Sequence, residues 1–149
     1  MKTAKYIRVS TTEQNIDRQS TLNHKQYIDK CSGSIPFNER PNAIKLLNDI
    51  TNKKIDTVIV HSICRLGRNA FDIQTVLNTL SNLNINVYVE NIGLYSMIEN
   101  KPNSIFKMIT DVLSNVAEME RISLLERRAA ESVARQFEIS QVPMTMFIG

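Results

Sequence analysis

Short runs of β-branched and aromatic residues alternate along this chain with longer stretches whose apolar positions recur at helical spacing. The first run spans Lys2 to Val9 and passes into a polar stretch, Glu13 to Asp29, that predicts a helix. A short second strand is expected near Ser34 to Phe37. Pro41 then suits a first helical turn, and Ile44, Leu47 and Ile50 lie at helical spacing before Asn52-Lys53-Lys54 ends the element. Thr57 to His61 predicts a third strand. Ala70 to Leu83 predicts a helix with Ile73, Val76, Leu77 and Leu80 on one face, and Asn86 to Glu90 a fourth strand. Strands separated by helical segments imply an α/β fold, a mostly parallel sheet of four to five strands flanked by helices. From Asn91 to Asn103 no period holds, and an irregular, mobile stretch with a short edge strand near Leu94-Tyr95 is expected.

Ser104 to Phe137 contains neither Gly nor Pro. One helix there would run roughly 50 Å at 1.5 Å per residue, whereas a domain of this size has a radius of gyration near ~15 Å. Such a helix overshoots its domain. Its first part carries the apolar stripe Ile105, Ile109, Val112, Val116 and Met119; its second part is charged, with Glu120, Arg121, Glu126, Arg127, Arg128, Glu131 and Arg135. One half calls for an apolar partner, such as a second copy, and the other for water or an anion.

Composition narrows the class without deciding it. The 149 residues are 42% hydrophobic and 22% charged, enough for one compact core. A net charge of +3 is a mild whole-protein field. Cys31, Cys64, His24 and His61 fall in no metal-ligand spacing, so no zinc site and no cofactor is expected. Without a signal peptide or a long apolar span, the chain is expected to be cytoplasmic, off the membrane, with reduced thiols.

The placement of arginines is more informative than their sum. At period two, Tyr6, Arg8 and Ser10 share one face of the first strand, so a guanidinium and a hydroxyl arrive together at a strand's carboxyl end. That edge is where ligands gather in open α/β sheets. The simplest alternative is a strand-to-helix turn with a Ser cap. A second apolar strand exits into Cys64-Arg65-Leu66-Gly67-Arg68, where Gly67 is available for a positive φ and two guanidinium groups flank it. Arg40, just before Pro41, is a further candidate.

Tyr6-Ile7-Arg8-Val9-Ser10-Thr11, Gln14 with Gln19, Glu39-Arg40-Pro41, Arg65-Leu66-Gly67-Arg68 and Glu120-Arg121 with Glu126-Arg127 occur in this order over roughly residues 2 to 135. Together they resemble the catalytic domain of small serine recombinases, the resolvase/invertase family. The resemblance implies that Ser10 attacks a DNA phosphodiester, forms a phosphoseryl link and permits strand exchange and religation. It implies double-stranded DNA as partner, and a homodimer that becomes a tetramer at synapsis. Arg8, Arg65 and Arg68 would clamp the phosphate, Arg40 would hold it or assist the leaving oxygen, and Gln19 would position Ser10. Gln14, Arg121, Glu126 and Arg127 would support the site or the DNA. The chemistry agrees: an enzyme without clustered acids for two metals must meet the phosphate's charge with fixed cations, and the Arg fork does so bidentately.

Two departures from the family pattern stand out. The family usually has an aspartate where this chain has Cys64, for which a buried, apolar role is expected. Residues 138–149 form an apolar tail too short for a helix-turn-helix module, after a catalytic core over 1–103 and a helix for dimerisation and DNA contact over 104–137. These departures keep open a catalytically impaired, DNA-binding remnant of the family. A flavodoxin-like phosphate-ligand module is the third reading, although no Gly-rich loop follows the first strand.

Overall fold

β1 (Thr3–Val9) is the strand around which the molecule is assembled. The computed structural model describes residues 2–10 and 24–140; Gln14, Gln19, the start of the first expected helix and most of the tail lie outside them. β1 pairs in parallel with β2 (Lys25–Lys30) on one side and with β3 (Thr57–Val60) on the other. β4 (Asn86–Val89) extends the parallel set, and β5 (Leu94–Tyr95) closes it antiparallel, in the order β2-β1-β3-β4-β5. Ala4 and Tyr6 join the core beneath the helices, while Lys5, Ile7 and Val9 on the opposite face are buried too. A central parallel strand buried on both faces explains the nearly unbroken apolar run.

The α/β class with a mostly parallel sheet and a long final helix is therefore as expected, but the second strand is not where the sequence pointed. Residues read as the end of a helix, through Asp29, form β2, and the segment expected as a strand near Ser34 to Phe37 is a serine-rich turn followed by a short 3₁₀ turn, Phe37–Glu39. Pairing with β1 supplies what local preference lacks: Tyr27 and Asp29 point inward at period two.

α1 (Pro41–Thr51) has no cap from its own preceding residue. Instead Asp29, at the end of β2, accepts from the backbone N–H of Asn42 at 2.9 Å and of Ala43 at 3.0 Å. These are two of the donors a helix start leaves unpaired. Its buried face is Ala43, Leu46 and Ile50, rotated from the expected Ile44-Leu47-Ile50 stripe; Ile44 is exposed and Leu47 packs at the margin. α2 (Ala70–Asn82) buries the four expected residues, and the Asn69 side chain accepts from Asp72 N to cap it.

Between β4 and the last helix the chain is more ordered than its lack of period suggests. β6 (Met97–Ile98) and β7 (Lys101–Pro102) form a hairpin whose turn residues Glu99 and Asn100 have φ of 53° and 62°, the left-handed pair favoured in two-residue hairpins. Asn103 then donates to Tyr95 O at 2.8 Å and accepts from Ile105 N at 3.1 Å. It ties the hairpin to the start of α3 (Ser104–Ser140).

α3 has 37 residues, about 55 Å at 1.5 Å per residue. It packs on α2 through Phe106, Leu113 and Ala117, a stripe offset from the one singled out in the sequence. Ile105, Val112, Val116 and Met119 face outward, and Ile109 is half-buried. The first half of α3 thus has two apolar sides, one used within the domain and one open. From Glu118 to Ile139 every residue is exposed. Among the described residues no helix is long and apolar enough to cross a membrane.

Candidate active site

Ser10 is the first residue beyond β1, half-buried at the carboxyl edge of the sheet. Two residues earlier on the same face, Arg8 Nη1 donates to Cys31 O at 3.0 Å. Its guanidinium lies over Gly33, where an added Cβ would meet the guanidinium carbon at 3.5 Å. The loop leaving β2 is folded back over Arg8 by a turn in which Ser32 Oγ and Ser34 Oγ lie 2.8 Å apart and Ile35 N donates to Ser32 O. Burial, then the positive charges of Arg65 and Arg40, hold the Arg8 guanidinium below its usual pKa. Arg65 and Arg40, from two other segments, are therefore close enough to Arg8 to disfavour its charge.

Arg40 lies wholly inside, at 0% exposure. Its Nε donates to Ile35 O at 3.0 Å, and its Nη1 to Arg65 O at 2.6 Å and to the Tyr6 hydroxyl at 3.4 Å. Tyr6 in turn donates to Asp29 Oδ2 at 3.0 Å. Burial pushes the Tyr6 hydroxyl well above the usual phenol range, so it keeps the proton it donates. A continuous polar chain thus runs from the start of α1 through Asp29, Tyr6 and Arg40 to the backbone of Arg65. Phe37 packs edge-on to Tyr6 at 5.1 Å and lies beside Arg40 at 5.9 Å. Two guanidinium nitrogens in this cluster, Arg8 Nε and Arg40 Nη2, are buried with no hydrogen-bond partner among the described residues. Such donors are uncommon and costly when left unmade.

β3 ends at Val60 beside Tyr6, so the chain leaving it continues alongside Arg8. Ser62 Oγ accepts from Cys64 N and starts a tight turn, Ile63–Leu66, anchored by the fully buried Leu66. With Leu66 inside and Ile63 packed on the core, Cys64 is turned outward and exposed, contrary to the buried role expected for it. Gly67 also differs from expectation. Its φ is −177°, ordinary extended backbone. Glycine is required because a Cβ would lie 2.7 Å from Ile73 N and 2.9 Å from Asp72 Oδ2. Arg65 is half-buried and Arg68 exposed.

Arg8, Arg40 and Arg65 are thus brought together, Arg8 being two residues from Ser10 at the end of β1. Apart from them, Arg121 and Arg127 line a cleft of about 680 Å³ with Asn69, Phe71 and Leu124, where α3 passes the start of α2 just beyond Arg68. Arg121 pairs with Glu118 one turn away, and Glu126 is exposed on α3 and joins neither group. Asp29 and Asp72 are the polar residues that sequence reasoning passed over. The alternation Tyr27-Ile28-Asp29 was a signal for a strand with an inward acid, and Asn69 with Asp72 has the spacing of a capping box.

Known proteins point the same way. The family profile described as "Resolvase, N terminal domain" matches residues 3–138. The chain is 35% identical over 131 residues to the Transposon Tn2501 resolvase of Escherichia coli, covering 82% of this chain and 64% of that protein. It is 34% identical to the serine recombinase PinR of Escherichia coli, with the same coverage. The chain spans about two thirds of the length of these relatives. Among solved structures, the N-terminal catalytic domain of TP901-1 integrase superposes with a TM-score of 0.63 at 28% identity, covering 81% of this chain and 97% of that one. A resolvase family site-specific recombinase from Streptococcus pneumoniae shares the fold, with a TM-score of 0.63 at 18% identity over 89% of this chain and 97% of that one. This chain belongs to the resolvase family, whose N-terminal domain its residues 3–138 match.

Proposed function

We propose that this domain cuts and rejoins DNA in site-specific recombination, with Ser10 as nucleophile. Ser10 Oγ attacks the scissile phosphorus, the Oγ–P bond forms as the bond from phosphorus to a sugar oxygen breaks, and the proton lost by serine is balanced by the one the sugar hydroxyl gains. One phosphodiester replaces another. Its energy is kept, so the freed hydroxyl can attack the phosphoserine and reseal a strand without ATP.

The observation that carries this reading is Arg8 held two residues from Ser10 at the carboxyl edge of the sheet, with Arg65 and the buried Arg40 close enough to lower the Arg8 guanidinium's pKa. The half-buried guanidinium groups of Arg8 and Arg65 favour an anion that joins them, while Arg40, at 0% exposure, braces the Arg65 backbone from inside rather than reaching the phosphate. The trigonal bipyramidal phosphorane carries more negative charge than the ground state. Arg68, exposed on the next loop, would take part of the same phosphate. Arg121 and Arg127 would follow the DNA backbone, positioning without reading sequence. Gln19 would position Ser10, and Gln14 would support the site or the DNA. Double-stranded DNA in the cytoplasm is the partner, and two copies joined through the open face of α3, four at synapsis, form the working assembly.

The test is a random-sequence pool of nicked duplexes incubated with the protein and resolved on a denaturing gel. A protein–DNA species is expected with the natural chain and none with Ser10→Ala, while a gel shift of the same DNA survives. An equal yield of the linked species from the variant would remove Ser10 from the role of nucleophile. Arg65→Ala is expected to lower the linking rate about 10²- to 10³-fold, the usual effect of deleting one charge-stabilising donor.

A further inference from the structure

The arginines of the pocket come from segments far apart in the chain, so something must hold those segments in register. One link is Arg40 Nη1 to Arg65 O. A second lies at Asp72, the third residue of α2. Its Oδ2 accepts from Arg68 N at 2.9 Å and from Phe37 N at 3.1 Å. The first amide belongs to the loop carrying Arg65 and Arg68, the second to the turn that leads into Arg40. Asp72 N is itself held by Asn69 Oδ1 at 2.9 Å, so the carboxylate stands on a capped, rigid helix start. Gly67 is drawn so close over the same oxygen that no side chain fits between them.

We infer that Asp72 is a positioning residue for strand cleavage: one carboxylate oxygen rivets the Arg65–Arg68 loop to the Phe37–Arg40 turn and so sets the spacing of guanidinium groups around the phosphate. This rests on the reading of the pocket given above. Asp72 touches neither DNA nor Ser10 in this role. With the rivet removed, the two segments remain joined at Arg40 and Arg65 and can pivot there. A shift of about 1 Å at a reacting centre costs up to ~100-fold in rate. Because one oxygen takes both amides, Asn at this position can keep both bonds with its own carbonyl oxygen, whereas Ala keeps neither.

The experiment has an arm without DNA and an arm with it. By amide hydrogen exchange followed by NMR, Phe37 N–H and Arg68 N–H are protected in the natural chain, lose protection at least 10-fold in Asp72→Ala and retain it in Asp72→Asn. With nicked duplex at saturating concentration, Asp72→Ala forms the Ser10-linked species 10- to 100-fold more slowly at unchanged DNA half-saturation. Asp72→Asn stays within about 3-fold of the natural chain. If Asp72→Ala does not fold, Asp72→Ser, whose shorter hydroxyl cannot bridge both amides, takes its place. Unprotected amides in the natural chain overturn the rivet. Equal linking rates in a variant that has lost protection overturn the positioning role, as does a weaker half-saturation with an unchanged rate. Failure of the natural chain to link to DNA at all sinks the recombinase reading, and the positioning role with it. That failure is distinguishable because the exchange arm is read without DNA.

Discussion

Arg40 and Gly67 show how single positions hold this pocket together. Arg40 has its fork turned inward, onto Ile35 O, Arg65 O and the Tyr6 hydroxyl. Lysine keeps the charge but has neither the planar fork nor its reach to three acceptors at once. Arg40→Lys is therefore expected to destabilise the fold by ~1–3 kcal/mol for each acceptor abandoned, read from urea denaturation midpoints at constant slope. Gly67→Ala forces a methyl group to within 2.7 Å of Ile73 N. Overpacking of this kind costs ~1–3 kcal/mol, a fall of roughly 2–4 °C in Tm per kcal/mol for a chain of this size. Gly93 is the control: its φ is +63° but nothing lies within 4 Å of an added Cβ. Gly93→Ala should cost only the backbone strain of about 1–2 kcal/mol and leave the arginine loops undisturbed. A larger loss of Tm at Gly93 than at Gly67 would contradict the close-approach argument. The sequence marked Gly67 as special, but for a positive φ; the true reason depends on Asp72 and Ile73, which only the folded chain sets beside it.

Among the elements, α2 was legible in full because its four apolar residues face a core that no other element contests. α1 was legible in extent but not in face. Its orientation is fixed from outside, by Asp29 at its start and by Asp49 near its end. Asp49 accepts from the Tyr27 hydroxyl and from Lys25 Nζ, both on β2. Those hydrogen bonds, Tyr27 first, hold the Asp49 carboxyl below its ordinary range. A carboxyl with a depressed folded-state pKa contributes stability above its unfolded value, near ~4, and that contribution fades as pH falls through the lower folded value. The stability gap between the natural chain and Asp49→Asn is thus expected to be constant between about pH 5 and about pH 8, below the range where Lys25 and Tyr27 titrate, and to close on acidification below ~4. Denaturant midpoints measured across that range check it, and a gap that widens in acid would reverse the assigned sign. β2 departs from the helix its sequence suggests because six residues with one β-branched side chain carry little local preference; the parallel register with β1 decides their state.

For the molecule as a whole, the open side of α3 is the dominant unpaired feature. Ile105, Val112 and Met119 recur every seven residues and are 56%, 59% and 66% exposed. A heptad-spaced seam of this kind is suited to a partner helix. Val112→Glu combined with Met119→Glu is expected to convert the proposed dimer to monomers without lowering helix content. Sedimentation velocity and circular dichroism check the two halves of that statement. Sedimentation of the double variant identical to that of the natural chain would remove α3's outer side from the interface.

Sequence periodicity by itself determined the α/β class, the long final helix, α2 and the candidate cations, because these depend on local spacing and on side-chain chemistry. Tertiary structure alone decided that β2 precedes the serine turn and that α3 turns a different stripe inward. It also decided that Arg8, Arg40 and Arg65 meet while Glu126 stands apart. Those outcomes depend on which groups distant along the chain satisfy one another's hydrogen bonds and buried surface, a condition that no local pattern contains.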